Sequence, residues 1–143
     1  LRAFVLDAST TVSWCFEDEA NSESEQLLDL LKTTAIAVAP SVWKLEIANA
    51  LIVAERKNRV TAENTAAFLN LLLRLNVITD SEADAAVWLR IVELARSSGL
   101  TAYDASYLEL AMRMSVPIAT KDTRLAKAAE ASGVRLFPTS EEA

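Results

Sequence analysis

Histidine is absent from the 143 residues of this chain. That lack excludes Ser-His-Asp and Cys-His nucleophile systems, histidine-ligated zinc sites and histidine general bases. There is one cysteine, Cys15, which excludes an internal disulfide framework and a CxxC redox centre. Its setting in "SWCFEDE", beside aromatic residues, reads as a buried structural thiol. With only 2 glycines and 3 prolines, the chain is expected to be compact rather than disordered. No aliphatic run approaches the roughly 20 residues of a membrane-spanning helix. The opening "LRAFVLD" lacks the basic, then long apolar, layout of a signal peptide, so a cytoplasmic protein without membrane contact is expected. Positive charge is also scarce. Lys and Arg total 14 against 20 Asp and Glu, and the net charge of -6 argues against broad electrostatic attachment to nucleic acid or anionic lipid. For chemistry near neutral pH, carboxylates and a hard cation remain.

What the chain does have is apolar residues, 52% of the total, enough for one domain over residues 1–143. No repeat, low-complexity tract or linker interrupts it. Strands are expected at 3–6 ("AFVL"), 35–38 ("AIAV"), 76–79 ("NVIT") and in "VPIAT" at 116–120, with "VRLF" at 134–137 as a last short edge strand. Helices are expected from a Ser9 or Thr10 cap through Phe16, then at 22–32, 42–58, 62–75, 82–98, 100–114 and 122–132. Thr61 and Asn64 both fit as caps, and Gly99 and Gly133 as helix stops. Alternating strands and helices imply an α/β fold with a mostly parallel sheet covered on both faces. Ligands gather beyond the carboxyl ends of such strands, where Asp7 and Asp122 both fall. Charge clusters at Glu17, Asp18, Glu19, Glu23 and Glu25, at Arg56, Lys57 and Arg59, at Lys121, Arg124 and Lys127, and at Glu141 and Glu142 read individually as solvated faces.

Four acids face the wrong way for a solvated helix. In "LTAYDASYLELAM" a helical period of about 100° per residue puts Tyr107, Leu108 and Ala111 on one side, with Asp104 among them. Ser106, Glu109 and Arg113 fall on the other. "TAYD" also fits a capping box, which is a local explanation for Asp104. Asp122 repeats the pattern, in register with Leu125, Ala126 and Ala129, and capping explains it singly as well. Asp7 alone is compatible with a turn aspartate. Glu46 is harder to explain locally. It lies past the first turn of its helix, on the order of 160° from Lys44 and Glu55 on the wheel, and Lys57 is too far along the axis to pair with it. Carboxylates drawn together away from water must take up protons or bind a cation. Their oxygens suit Mg²⁺ or Mn²⁺.

"FVLDAST", "PSVWKLEIANAL", "LTAYDASYLELA" and "IATKDTRLAKAA" occur in the order seen in PIN-domain ribonucleases, and the chain most resembles the VapC toxins of bacterial toxin–antitoxin pairs. The likeness spans nearly the whole chain. It implies a three-layer α/β/α sandwich with a short, mostly parallel central sheet, and a metal-dependent endoribonuclease. By that resemblance Asp7, Glu46, Asp104 and Asp122 form an acidic centre for Mg²⁺ or Mn²⁺, with Glu46 completing the ligand set or orienting a water. Asn49 and Thr120 fall at supporting positions. The resemblance also implies a homodimer, a cognate VapB-type antitoxin and an RNA substrate; "AAFLNLLLRL" offers an aliphatic contact surface for a partner. Lys44, Arg56, Lys57, Lys121 and Arg124 are candidates for phosphate contact. A haloacid-dehalogenase-type phosphatase needs a second Asp where Ser9 stands, and a response-regulator receiver needs paired acids where Asp7 is followed by Ala8. A catalytically inert PIN module that only binds an antitoxin or RNA is the remaining alternative, and the intact quartet speaks against it.

Overall fold

The computed structural model describes residues 2–16 and 18–138; Glu17, Glu141 and Glu142, named above, lie outside them. Four apolar stretches form one sheet: β1 (Arg2–Leu6), β2 (Ala35–Ala39), β3 (Val77–Thr79) and β4 (Ile118–Ala119). All pairings are parallel and the order is β3-β2-β1-β4. β1 is an inner strand, with Val5 opposite Val38 on one side and Ile118 on the other. Phe4, Val5 and Leu6 are wholly buried, as a strand covered on both faces requires.

Seven helices complete the fold among the described residues: α1 (Ala8–Ser13), α2 (Ser22–Thr33), α3 (Val42–Arg56), α4 (Ala62–Arg74), α5 (Ala85–Ser98), α6 (Ala102–Met114) and α7 (Thr123–Ala131). The strand order assigns them to layers. From β1 the chain steps to β2 and then β3, and right-handed crossovers put α1 to α4 on one face. It then returns past β1 to β4, so α5 and α6 cover the opposite face, with α7 packed against α6. The result is the three-layer α/β/α sandwich that the sequence implies. The direction of progression reverses between β1 and β4. In an open parallel sheet that reversal opens a crevice at the carboxyl ends of the two strands.

Several local expectations change. α1 is capped by Asp7, not by Ser9 or Thr10: the Asp7 carboxylate accepts the Ser9 N–H, while Ser9 turns its hydroxyl back to that same carboxylate. α5 starts at Ala85 rather than at 82, because Asp84 caps it and Glu82 sits in the left-handed region at φ 49. The Glu82 carboxylate instead accepts the Ser41 N–H at 2.8 Å. "VRLF" forms one isolated bridge, Leu136 to Ile118, and no further strand. Thr61 and Asn64 share one cap, with Thr61 at the N-cap and Asn64 closing a reciprocal box. Gly99 ends α5 in the left-handed conformation at φ 66, as expected of a helix stop.

α6 departs most from its helical wheel. Every residue from 105 to 111 is buried, including Ser106 and Glu109 on the side read as polar. It packs between α5 and the sheet, so its polar side meets protein. Glu109, only 1% exposed, is compensated by Arg113 one turn on and by Arg90 of α5, and Arg113 also reaches Asp80 after β3 at 2.8 Å. Cys15 is half-buried between Trp14 and Phe16, and burial pushes its thiol up from the ordinary value. Among the described residues no helix is long and apolar enough to cross a membrane.

Candidate metal centre

Asp7 leaves the end of β1 at the β1–β4 reversal. Only 5% of it is exposed, and its first oxygen accepts the Ser9 N–H at 3.3 Å. Its second oxygen accepts the Ser9 hydroxyl at 2.8 Å and the Thr120 hydroxyl from the end of β4. Burial raises the Asp7 carboxyl above its ordinary range and the charge of Asp104 adds to the effect, outweighing the hydroxyls that favour the ion. The Thr120 oxygen in turn accepts the Asp122 N–H at 3.0 Å, and the Ser9 oxygen accepts the Lys121 N–H at 3.1 Å. Two hydroxyls thus stitch the carboxyl ends of β1 and β4 together around one carboxylate.

Glu46 projects from α3, on one face of the sheet, and meets Tyr107 from α6, on the other. The Tyr107 hydroxyl donates to Glu46 Oε1 at 2.6 Å, although the two residues stand 61 positions apart. Burial is the chief cause of a raised Glu46 carboxyl, and the charges of Asp7 and Asp104 push the same way. Burial, then the hydrogen bond to Glu46, raises the Tyr107 phenol far above its usual value, so it stays a donor at any ordinary pH.

Asp104 sits in the first turn of α6. Thr101 caps that helix by accepting the Asp104 N–H at 3.1 Å. The cap does not neutralise the Asp104 carboxyl, which burial and then the charge of Asp122 raise against weaker help from Thr101 and Arg124. Asp122 is itself the N-cap of α7: its Oδ1 accepts the N–H groups of Arg124 and Leu125 at 2.9 and 3.3 Å. Capping and clustering therefore coexist in Asp122, because only one oxygen is used by the cap.

The four acids are coupled through charge in a chain, Asp7 to Asp104, Glu46 to both, and Asp122 to Asp104 alone. No Lys or Arg forms an ion pair with any of them among the described residues. In the side-chain positions held here, no three acidic groups among those residues come close enough to ligate one ion. Like charges hold one another off, and protein donors tether an oxygen on Asp7, Glu46 and Asp122. An all-oxygen, unneutralised and partly desolvated donor set fits a hard divalent cation and no soft one.

The supporting residues divide. Thr120 is joined to the acids directly. Asn49, one turn beyond Glu46, is exposed and makes no side-chain hydrogen bond among the described residues. Lys121 spends its ammonium on the Glu19 carbonyl at 2.6 Å, and Arg124 lies near Asp104. Lys44, Arg56 and Lys57 are exposed along and just beyond α3, with Lys44 beside an apolar groove of about 330 Å³ between α3 and α4. Two contributors escape the sequence reading. Ser9 looks like a helix cap but serves the carboxylate. Tyr107 looks like core, and the signal that marks it is a phenol on an otherwise aliphatic stripe, since a buried Tyr hydroxyl needs a partner.

Comparison with known proteins places the fold. No curated protein matches the chain significantly in sequence. Its backbone is similar to solved structures that include PAE2754 from Pyrobaculum aerophilum, at 22% identity and TM-score 0.67, covering 89% of this chain and 79% of that one. FitAcB from Neisseria gonorrhoeae aligns over 94% of this chain and 96% of its own, at 20% identity and TM-score 0.61. VapBC2 from Rickettsia felis, bound to a DNA fragment from their promoter, gives the same coverage at 14% identity and TM-score 0.66. At such identities the likeness is one of fold. The family profile described as PIN domain matches residues 4–131, from inside β1 to the end of α7, and the chain belongs to that family.

Proposed function

We propose that this chain is a metal-dependent endoribonuclease acting as the toxin of a toxin–antitoxin pair. PIN domains are generally nucleases and generally use divalent metals. The observation that supports the reading for this chain is the charge coupling of Asp7, Glu46, Asp104 and Asp122, from four separate segments, with no Lys or Arg ion-paired to them among the described residues. A bound Mg²⁺ or Mn²⁺ supplies Lewis-acid polarisation of a phosphodiester and lowers the pKa of water. Asp7, Asp104 and Asp122 would hold such an ion, and Glu46 would complete the set or orient a water. Ser9 and Thr120 fix the Asp7 carboxylate so that it need not reorient when substrate arrives. Lys44, Arg56, Lys57, Lys121 and Arg124 are assigned to RNA phosphates, and Asn49 is assigned, by the family resemblance alone, to orienting a carboxylate or water. Cleavage leaves a 3′-hydroxyl and a 5′-phosphate.

The toxin role draws on the structural neighbours. VapBC2 is solved bound to a DNA fragment from their promoter, and a further neighbour is a toxin–antitoxin complex from Klebsiella pneumoniae. By that kinship this chain takes a VapB-type antitoxin as partner, forms a homodimer and works in the cytoplasm. The test is Mn²⁺ titration by calorimetry alongside RNA cleavage, for the parent and for Asp7→Asn and Asp104→Asn. Binding and cleavage in the parent, both lost in the variants, support the assignment. A parent that binds no Mn²⁺ is the inert module instead.

A further inference from the structure

In three of the four acids a protein donor has claimed one named oxygen by a short bond. Tyr107 donates to Glu46 Oε1 at 2.6 Å, Ser9 to Asp7 Oδ2 at 2.8 Å, and the Arg124 N–H to Asp122 Oδ1 at 2.9 Å. The Ser9 hydroxyl lies two residues from its acceptor, and the Arg124 N–H is part of the cap of α7, so both bonds are local to the chain. The Tyr107 bond is different. It spans the two helical layers, and no element of regular structure requires it. Tyr107 is wholly buried, so its ring is locked in place by packing and its hydroxyl is delivered to a fixed point. Glu46, half-buried on α3, has the longest and freest side chain of the four, and is the one that most needs an external tether.

A carboxylate with both oxygens open can chelate a cation through the pair. Calcium accepts such bidentate ligands in loose sets of six to eight oxygens, whereas magnesium demands a near-ideal octahedron of single oxygens and keeps several waters. We propose that Tyr107 is a positioning residue whose hydroxyl ties down Glu46 Oε1, so that Glu46 offers one oxygen to a cation and the centre discriminates against calcium. This rests on the metal-dependent reading given above. It adds to it the side chain that sets which ion the centre accepts.

The experiment compares Mn²⁺ and Ca²⁺ binding by calorimetry in the parent and in Tyr107→Phe, which keeps the ring and deletes only the hydroxyl. Loss of a donor behind a ligand costs about 10-fold or more in metal affinity. Mn²⁺ binding is expected to weaken by about that factor while Ca²⁺ holds or improves, so the preference narrows. In a Glu46→Gln background the same substitution should leave the Mn²⁺ to Ca²⁺ ratio unchanged, since Tyr107 acts through Glu46. Should Tyr107→Phe fold poorly, Glu46→Asp breaks the same bond from a half-buried position and should narrow the preference in the same direction. A parent that binds Mn²⁺ but whose ion preference survives loss of the phenol overturns this inference and leaves the nuclease reading intact. A parent that binds neither ion overturns the nuclease reading first.

Discussion

Thr120, at the end of β4, donates its hydroxyl to the Asp7 carboxylate at the end of β1, and accepts the Asp122 N–H with the same oxygen. One small side chain therefore orients one acid directly and the backbone of another. Thr120→Val keeps the shape and removes both bonds, leaving a buried carboxylate and an N–H short of partners. Such a loss costs about 1–3 kcal/mol. Chemical denaturation should show that decrease, and RNA cleavage should fall with it while the circular dichroism spectrum is retained.

Asp104 has the opposite relation to stability. Its folded carboxyl titrates above the ordinary value of 3.8, through burial and then the charge of Asp122. Between 3.8 and the raised folded value the native state holds more protons than the unfolded one, so stability falls as pH rises through that window. The cost is fully present at neutral pH. Asp104→Asn removes it, and the melting temperature should rise by about 2–4 °C for each kcal/mol relieved while cleavage is lost. The gain should shrink as the solution is acidified below the folded value. An equal gain at all pH values would assign the effect to packing.

Arg113 gives the contrary sign. It holds the Asp80 carboxyl below its ordinary range, so that contribution is present above 3.8 and is lost as pH falls through the lowered folded value. Arg113 is also a partner of Glu109, which is 1% exposed and cannot reach water. Breaking a buried pair from one side costs about 3–5 kcal/mol, an upper bound here because Arg90 stays 3.3 Å from Glu109. Arg113→Ala should therefore be destabilising at neutral pH, since it leaves Glu109 with Arg90 alone, whereas Glu109→Gln, which removes the buried charge, should cost less. Urea melts of both variants at neutral pH give the comparison directly.

Leu73 of α4 is 78% exposed and lies along the groove between α3 and α4. Leu73→Glu should leave the monomer's stability within about 0.5 kcal/mol, as for other solvent-facing positions. If α4 carries the contact between copies, sedimentation should show a lighter species. An unchanged mass would place that contact on another face, such as α5, where Trp88 and Leu89 are also exposed.

Local pattern carries much of this structure. β1 and Asp7 are legible because an apolar run ending in an acid suits an inner parallel strand, and Gly99 marks the end of α5 by its left-handed φ. Glu46 stands out because it lies past the first turn, where capping no longer explains an acid. The wheel misled at Glu109, since α6 is covered on both sides and a single polar stripe no longer means solvent. "VRLF" has the composition of a strand but pairs at one residue only, as pairing depends on what β4 offers. Tyr107 and Ser9 were hidden for the same reason. Their partners lie on other segments or turn back on the chain, and which donor meets which oxygen is settled by tertiary packing.

The seam between β1 and β4 also has a temporal meaning. Residue 7 is made before residues 118–122, with 113 positions separating Asp7 from Thr120. A growing chain emerges N-terminal part first, at about 5–20 residues per second. Until the final strand has been delivered and seated beside the first, the ribosome carries only half a cleft. On the nuclease reading, no activity is possible before that last strand has emerged and docked.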